Sequence, residues 1–366
     1  MLDNISIQNF RCFKNLNVSG FKNINLLGGQ NNSGKTTLLE VILLSYFPSP
    51  KSINLLRQFR NENDRIIGNA TDKVWNYFFY NQNKSEPIRI ISQFVDGQDK
   101  NLEMSCTKDI ETILATISKN TFGNGTEKIS DLISSKFSDV LLLNMKGNVT
   151  KSDFNFFLIP DKDDNDIGSI GKTPTTYDLP PFLHAARRIS DDGLAGLYSQ
   201  TKERKKVTIL NDILKLLDDR IIGSEIDAPG GEPIIKILLK DEHSFPLNMF
   251  GDAVRKITEL ILVMLNSSNT IILIDEIENG IHFTKHRDLW KKLFQIVGDD
   301  IQIFATSHSA EMIKAFNDVA YQTDFDSKAM YFEMSRTQKT NQIIANPMDM
   351  ESLNYEISTN SSYRGE

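Results

Sequence analysis

The stretch GQNNSGKT at residues 29–36 decides the fold class of this chain. It matches the pattern G-x-x-x-x-G-K-[ST] in full, and it stands between an apolar run at 24–29 (INLLGG) and a stretch of helical length at 36–47 (TTLLEVILLSYF). A buried strand, a glycine-rich turn and a helix form the context that this phosphate-binding motif requires. The stretch therefore predicts an α/β fold with a phosphate site at the start of the helix.

Each residue type in this motif has a chemical reason to be there. Glycines allow backbone N–H groups to curl around phosphate oxygens, and the helix N-terminus adds a favourable dipole. Lys35 would place its charge on the β- and γ-phosphates, and the hydroxyl of Thr36 would bind Mg²⁺. We therefore predict that ATP contacts the whole loop, namely Gly29, Gln30, Asn31, Asn32, Ser33, Gly34, Lys35, Thr36 and Thr37.

Two further strand ends carry polar residues of the kind that nucleotide hydrolysis uses. The run IILIDE at 271–276 ends in two carboxylates, which point in opposite directions because they are neighbours on a strand. Asp275 suits the Mg²⁺ shell, and Glu276 suits a general base for the attacking water. His308 follows the apolar run IQIFA and is predicted to contact the γ-phosphate. The predicted catalytic residues are thus Glu276, His308 and Lys35.

The order of strands and helices predicts how the chain is organised. Apolar strands alternate with helical stretches both before residue 95 and after residue 231, which is typical of an α/β sheet. We predict a nucleotide-binding lobe of a mixed sheet flanked by helices, formed by 1–95 and 231–345. Residues 96–230 are predicted to be an inserted, mainly helical lobe, and residues 346–366 a C-terminal tail.

Composition excludes several classes of protein. Lys and Arg total 41 against 48 Asp and Glu, so the net charge of −7 excludes a histone-like binder held to nucleic acid by its overall charge. The two cysteines, Cys12 and Cys106, exclude a disulfide framework and favour a reducing compartment. The sequence contains neither a signal peptide pattern nor an apolar run long enough to span a membrane. We therefore expect a cytoplasmic protein.

Four blocks of the sequence together resemble ABC-type ATPases of the RecF/SMC/OLD branch, and more closely the stand-alone ATP-binding proteins of bacterial defence loci. They are IQNFRCFKNLNV (7–18), GQNNSGKTTLLE (29–40), IDEIENGIH (274–282) and FATSHSAEMIKAF (304–316). The opening block is typical of that branch rather than of transporter ATPases. The resemblance implies head-to-tail pairs in which ATP lies between the phosphate loop of one subunit and a signature segment of the other.

The resemblance places the signature segment at 246–264 (PLNMFGDAVRKITELILVM). There Gly251 would let the backbone approach the γ-phosphate, and the helix that begins near Asp252 would point its N-terminus at it. The segment departs from the LSGGQ form of the family. Asn248 stands where Ser is usual, Phe250 replaces a glycine and Asp252 replaces the glutamine, which leaves a weaker set of donors.

Other residues take roles only through the resemblance. Arg11 resembles an arginine that reaches the nucleotide phosphates, although a surface salt bridge is an alternative for it. IENGIH at 277–282 matches the loop, called the D-loop, at which subunits meet. The glutamine of the family's Q-loop stays open between three candidates, which are Gln82, Gln93 and Gln98.

The resemblance implies an Mg²⁺-dependent ATPase that works as a homodimer or a higher assembly of dimers. In that role it would be the sensor or scaffold of a bacterial anti-phage system and would control a separate effector, a nuclease or a toxin. Only 58 residues follow His308, too few for the metal-dependent nuclease domain that some relatives carry. We therefore expect no nuclease activity in this chain.

Three alternatives stay open. A DNA-repair ATPase in the manner of RecF and SMC would bind DNA, and a non-hydrolysing scaffold would use ATP only as a gate. A transporter ATPase is disfavoured by the opening block and the poor match to LSGGQ. Basic residues at 184–206 could contact nucleic acid, but a solvated helix face explains them equally well.

Overall fold

The computed structural model describes residues 1–60, 73–109, 142–149, 152–160, 167–174, 180–184, 188–323 and 325–359. Within these ranges the helices are α1 (Lys35–Tyr46), α2 (Pro50–Phe59), α3 (Asp191–Glu203), α4 (Val207–Leu217), α5 (Asp252–Asn266), α6 (His286–Ile296), α7 (Ala310–Tyr321) and α8 (Met350–Ser358). The strands are β1 (Leu2–Phe10), β2 (Phe13–Ser19), β3 (Ile24–Gly28), β4 (Ile88–Phe94), β5 (Asp99–Thr107), β6 (Leu142–Val149), β7 (Ser152–Pro160), β8 (Ile167–Lys172), β9 (Phe182–Leu183), β10 (Ile221–Asp227), β11 (Ile234–Leu239), β12 (Ser244–Pro246), β13 (Thr270–Ile274), β14 (Ile301–Thr306), β15 (Ala329–Arg336) and β16 (Ile343–Met348).

A central sheet with the strand order β16-β15-β3-β14-β13-β9 forms the frame of the molecule. Its strands run parallel except β16, which is antiparallel to β15. β3, β13 and β14 are apolar and almost wholly buried, because helices or another sheet cover both faces. This confirms the predicted α/β class, and it brings the carboxyl ends of β3, β13 and β14 to one edge.

A second, antiparallel sheet lies on the other side of α1. Its order is β2-β1-β4-β5-β6-β7-β8. Side chains of α1 pack in one apolar cluster with residues of both sheets, among them Ile7, Ile90 and Phe304. Because α1 lies between two sheets, it is buried over most of its length, which explains why TTLLEVILLSY is apolar on every side.

The opposite face of the central sheet carries helices α3 to α7 and a small sheet, β10-β11-β12. Consecutive residues of β3 pack on opposite faces of the central sheet: Leu26 packs in this cluster, and Leu27 packs toward α1. Such alternation is expected of a strand covered on both faces. α5 therefore approaches the sheet edge from the face opposite to α1.

The predicted lobe at 96–230 differs from the structure in its secondary structure. Its described residues contain the strands β5 to β10 alongside only two helices, α3 and α4. β5 pairs with β4 and continues the antiparallel sheet, while β9 joins the central sheet beside β13. Long-range strand pairing thus integrates this region with the rest of the chain, and the description "mainly helical" is corrected for the described residues.

The predicted boundaries near 95 and 231 each fall within a hairpin, between β4 and β5 and between β10 and β11. The predicted tail at 346–366 begins inside β16, and α8 packs Met350 and Leu353 into the core. Residues 360–366 lie outside the described part. Among the described helices, none is long and apolar enough to cross a membrane.

Candidate active site

A cleft of about 970 Å³ opens at the carboxyl ends of β3, β13 and β14. Its walls include the loop between β3 and α1, the carboxylates after β13 and the residues after β14. Open α/β sheets bind their ligands at this edge. Most of the predicted loop and all three predicted catalytic residues line this cleft, including Asn31, Asn32, Ser33, Gly34, Lys35, Thr36, Thr37, Glu276 and His308.

The loop before α1 adopts a conformation that requires glycine at two positions. Gly29 has a φ of +134° and Gly34 a φ of +90°, a region that side chains disfavour. Space is also limiting, because a Cβ on Gly29 would collide with the carbonyl of Met334, and one on Gly34 would lie 2.7 Å from the ring of Phe13. The loop is thus pressed between neighbours, and it leaves the N-terminus of α1 facing the cleft.

The ammonium group of Lys35 holds this loop together. Its Nζ donates to the carbonyls of Gly29 and Gln30, both at 2.7 Å, and to Oγ of Ser33 at 3.4 Å. Burial lowers the pKa of Lys35, and the nearby carboxylates, Glu278 foremost, oppose that change. Lys35 therefore brings a partly desolvated cation to the place where the loop would hold a phosphate.

Thr36, Asp275 and Thr306 form a chain of hydrogen bonds across the cleft. The hydroxyl of Thr36 donates to Oδ1 of Asp275 at 2.9 Å, and the hydroxyl of Thr306 donates to the same oxygen at 2.7 Å. Asp275 is almost fully buried. A hydroxyl and a carboxylate beside a phosphate loop are the hard oxygen donors that Mg²⁺ takes when phosphates and water complete its shell. The pair therefore fits the predicted metal site.

Glu276 stands in a backbone conformation that is unusual for its residue type. Its φ is +52°, its N–H donates to Oγ1 of Thr306 at 2.8 Å, and Nζ of Lys256 donates to its carbonyl. Positive φ costs free energy in a residue other than glycine, and it persists where neighbours hold it. Thr306 and Lys256 hold both peptide groups of Glu276 and leave its side chain at the cleft.

Two histidines contact acidic residues of this edge. Nδ1 of His308 lies 2.9 Å from Oε1 of Glu278, in the loop after β13. Nε2 of His184, which follows β9, lies 3.5 Å from Oδ2 of Asp275. The ring of His184 stacks on Phe59 at 4.2 Å between centroids, and burial lowers its pKa while Asp275 opposes this. His184 thus lies near the Asp275 oxygen that does not accept from Thr36.

Two arginines at the cleft form salt bridges with the same carboxylate. Glu40 on α1 is fully buried, and its two oxygens bind Nε of Arg11 at 2.8 Å and Nε of Arg60 at 2.9 Å. Both guanidinium groups line the cleft. The salt bridge that the sequence left as an alternative for Arg11 therefore exists, but it is buried and adjoins the predicted phosphate site. Gln82 is the Q-loop candidate that lines the cleft.

The predicted signature residues lie outside this cleft. Asn248 lies within a single 3-10 turn (Leu247–Met249), Gly251 caps α5, and Asp252 pairs with Arg188 at 2.7 Å on the surface. Gly280 of the D-loop sequence packs against the first turn of α5, where an added Cβ would lie 3.3 Å from the nitrogen of Ala253. Gly280 of the D-loop sequence therefore lies directly against the start of the signature helix.

Comparison with known proteins assigns the chain to a family. A family model described as AAA domain (AAA_23) matches residues 4–243. The chain belongs to the AAA_23 family. It is therefore an ATPase of the AAA class, and the match contains the phosphate loop but ends before Asp275 and Glu276.

Individual relatives are distant. A Helicobacter pylori protein named ATP/GTP phosphatase is 25% identical over 357 residues, which cover 91% of this chain and 92% of that protein. Among solved structures, the SMC head domain of Thermotoga maritima has 10% identity and a TM-score of 0.42, covering 95% of this chain and 99% of the other. A Pyrococcus furiosus Smc head domain bound to the C-terminal domain of ScpA has 8% identity and a TM-score of 0.48, covering 98% of both chains.

Several residues of this site were not predicted from the sequence, because they belong to no motif of their own. Thr306 is two residues before the predicted His308, and Glu278 lies inside the D-loop sequence, so only this proximity to predicted residues could have indicated them. Lys256 and His184 reach the site from α5 and from the end of β9, and nothing in their local sequence indicates it. Their positions follow from the tertiary fold alone.

Some basic residues of the segment 184–206 already bind other residues of this chain. Arg188 pairs with Asp252, and Nη1 of Arg204 donates to the carbonyl of Leu265 at 3.2 Å. Residues 185–187 lie outside the described part. Lys202, Lys205 and Lys206 are exposed. Among the described basic side chains of this segment, these three lysines are therefore the ones that remain available for contact with nucleic acid.

Proposed function

We propose that this AAA_23 protein hydrolyses ATP as a head-to-tail dimer of the ABC type. The observation that carries the proposal is the separation of two surfaces. Lys35, Thr36, Asp275 and Glu276 meet in one cleft, whereas the signature residues Asn248, Gly251 and Asp252 lie outside it. Signature residues that do not line their own cleft are suited to close over the cleft of a second copy.

The residues of the cleft have distinct roles in the proposed reaction. Thr36 and Asp275 would hold Mg²⁺, which neutralises charge on the β- and γ-phosphates when bound. Lys35 exchanges its loop carbonyls for phosphate oxygens, and His308 contacts the γ-phosphate. Glu276 orients the attacking water and accepts its proton. Arg11 and Arg60 add positive charge at the cleft wall, where phosphates would lie.

Exposed apolar side chains support dimer formation through the signature surface. Met249, just before Gly251, is 71% exposed, and Phe283, just after the D-loop sequence, is 60% exposed. Contiguous exposed apolar patches mark interaction surfaces, and both side chains flank segments that the resemblance places at the contact between subunits. A second copy, with ATP between the two, would cover them.

In the cell, we propose that the closed and open states of this dimer control a separate effector, a nuclease or a toxin, in a cytoplasmic anti-phage system. The support is the resemblance of the four sequence blocks to defence ATPases. ATP turnover is then a timer for a conformational change, and this chain itself has no nuclease activity. A DNA-repair role predicts instead that DNA raises the ATPase rate, and comparing rates with and without DNA separates the two.

Two variants test the core of the proposal. Lys35→Ala should abolish ATP binding, measured by isothermal titration, while Lys51→Ala, which removes an exposed lysine at the start of α2, should leave it unchanged. Glu276→Gln should bind ATP, lose turnover and accumulate a dimer in light scattering. Retained binding in Lys35→Ala contradicts the site, and unchanged turnover with Glu276→Gln supports the non-hydrolysing scaffold instead.

A further inference from the structure

His308 is held by a single carboxylate oxygen. Oε1 of Glu278 lies 2.9 Å from Nδ1 of the His308 ring and accepts from the backbone N–H of the same residue at 2.8 Å. The bond to the backbone N–H fixes the position of the residue, and the contact with Nδ1 fixes the rotation of the ring. The loop after β13 therefore orients a side chain that belongs to the loop after β14.

The carboxylate that does this is itself fixed. Glu278 is about nine-tenths buried, and its backbone carbonyl accepts from the N–H of Ile281 at 3.0 Å. Its second oxygen, Oε2, is buried and has no hydrogen-bond partner within the described residues. Burial lowers the pKa of both Lys35 and Lys256, and in each case the Glu278 charge is the leading opposing influence. Glu278 thus lies near two partly buried lysines and interacts with the charge of both.

This arrangement determines the chemistry of the His308 ring. Oε1 of Glu278 already accepts from the backbone N–H of His308, so it is an acceptor toward the ring as well, and Nδ1 carries the hydrogen. Nε2 is on the far side of the ring, and the half-exposed side chain lines the cleft with Lys35. With one hydrogen on Nδ1, a second proton on Nε2 lets the ring donate a hydrogen bond to a phosphate oxygen.

We propose that Glu278 is a positioning residue that sets the tautomer and orientation of His308, so that Nε2 meets the γ-phosphate of ATP. The proposal rests on the ATPase function proposed above. A purely structural brace in the loop after β13 is the competing explanation, and it predicts that Glu278 matters equally whether or not His308 is present.

A double-mutant cycle separates the two explanations. Glu278→Ala and His308→Ala should each lower kcat by about 30- to 100-fold, within the range for a lost proton-handling or charge-stabilising group. The double variant should be no slower than His308→Ala, and ATP affinity should stay near that of the wild type. Glu278→Gln keeps the accepting oxygen but not the charge, so its kcat should fall only about 3- to 10-fold.

A matched control comes from the other side of His308. Glu311 is an exposed carboxylate three residues further along, bound to Oγ of Ser309 at 2.9 Å. Glu311→Gln removes a carboxylate charge close to His308 in the sequence and leaves Glu278 in place. Its kcat and ATP affinity should equal those of the wild type, and thermal melting should show that all variants are folded.

A second readout does not depend on catalysis. In ¹⁵N-histidine spectra at pH 8.5, with the His308 signal identified by its loss in His308→Ala, the wild type should show the Nδ1–H tautomer. Glu278→Ala should shift it to the Nε2–H form. An unchanged tautomer in Glu278→Ala, or additive losses of kcat in the cycle, would overturn the proposal. Absence of ATPase activity in the wild type would instead contradict the proposed function, and the tautomer measurement would still decide the role of Glu278.

Discussion

The hydroxyl of Thr36 donates a hydrogen bond to Oδ1 of Asp275 across 2.9 Å, although the two residues are 239 positions apart in the chain. Thr36 lies in the first turn of α1 and Asp275 follows β13, so the bond joins the end of the phosphate loop to the carboxylates that follow β13. The same Asp275 oxygen accepts from Thr306. Three elements that are separate in sequence therefore meet at one oxygen atom.

Removal of the Thr36 hydroxyl should affect metal-dependent turnover more than nucleotide binding. Thr36→Ala deletes one proposed Mg²⁺ ligand while Lys35 and the loop N–H groups stay, so we expect kcat with Mg²⁺ to fall about 100-fold. Affinity for ATP without Mg²⁺ should stay within about threefold. Thr36→Ser, which keeps the hydroxyl, should restore turnover. Equal loss in both variants would contradict a role as ligand.

Lys256 should matter for the rate because it holds the backbone of Glu276. Lys256→Met leaves the Glu276 carbonyl without this donor and allows its strained φ of +52° to relax. We expect kcat to fall about 10-fold, because a displaced catalytic group lowers the rate, while the ATP affinity stays unchanged. Lys291→Met, on the exposed face of α6, is the control. A wild-type kcat in Lys256→Met would show that Glu276 keeps its position without the lysine.

Glu40 should contribute strongly to stability. It is fully buried between Arg11 and Arg60, and Glu40→Ala leaves a buried guanidinium without its carboxylate. Breaking a buried pair costs about 3–5 kcal/mol, and the partial exposure of Arg60 brings the expected loss of unfolding free energy to about 3 kcal/mol. Urea denaturation measures it.

The chain offers a matched control for this prediction. Glu103 also binds two cations, Arg89 at 3.1 Å and Lys146 at 2.9 Å, but both are about half exposed. Glu103→Ala should cost less than about 1 kcal/mol, as surface ion pairs do. Equal losses at Glu40 and Glu103 would mean that burial of the first pair does not determine its contribution.

The parts of the site that the sequence predicts are those in which a local pattern is sufficient. The phosphate loop needs its glycines within eight residues, and IILIDE combines a buried strand with its terminal carboxylates. The structure places β13 at Thr270–Ile274 and α1 from Lys35, close to those expectations. In contrast, Lys256 and His184 are brought to the site by the packing of elements that are distant in the chain. The sequence around each of them therefore contains no pattern that predicts this position.

The strands between 96 and 172 were missed for a related reason. β5 to β8 are stabilised by pairing with each other and with β4, and this pairing depends on partners far along the chain. Helix α4 (Val207–Leu217) shows the opposite case. Its own apolar repeat is a local signal of a helix, and β10 begins soon after it, where Ile221 pairs with Leu239.

The two cysteines provide a test that involves neither ATP nor a partner. Burial raises the pKa of Cys106 to about 12, and Cys12, beside Thr37 in the cleft wall, also has a raised pKa because of burial. A thiol reacts as its thiolate, so a pKa near 12 leaves roughly 1 in 10,000 molecules of Cys106 reactive at pH 8, against about a quarter of a free cysteine. Cys106 in the Cys12→Ser variant should therefore react with a disulfide reagent on the order of a thousandfold more slowly than free cysteine. Its rate should increase tenfold per pH unit from pH 8 to 10 and reach the free value in denaturant. Fast reaction in the native state at pH 8 would mean that β5 does not bury this thiol.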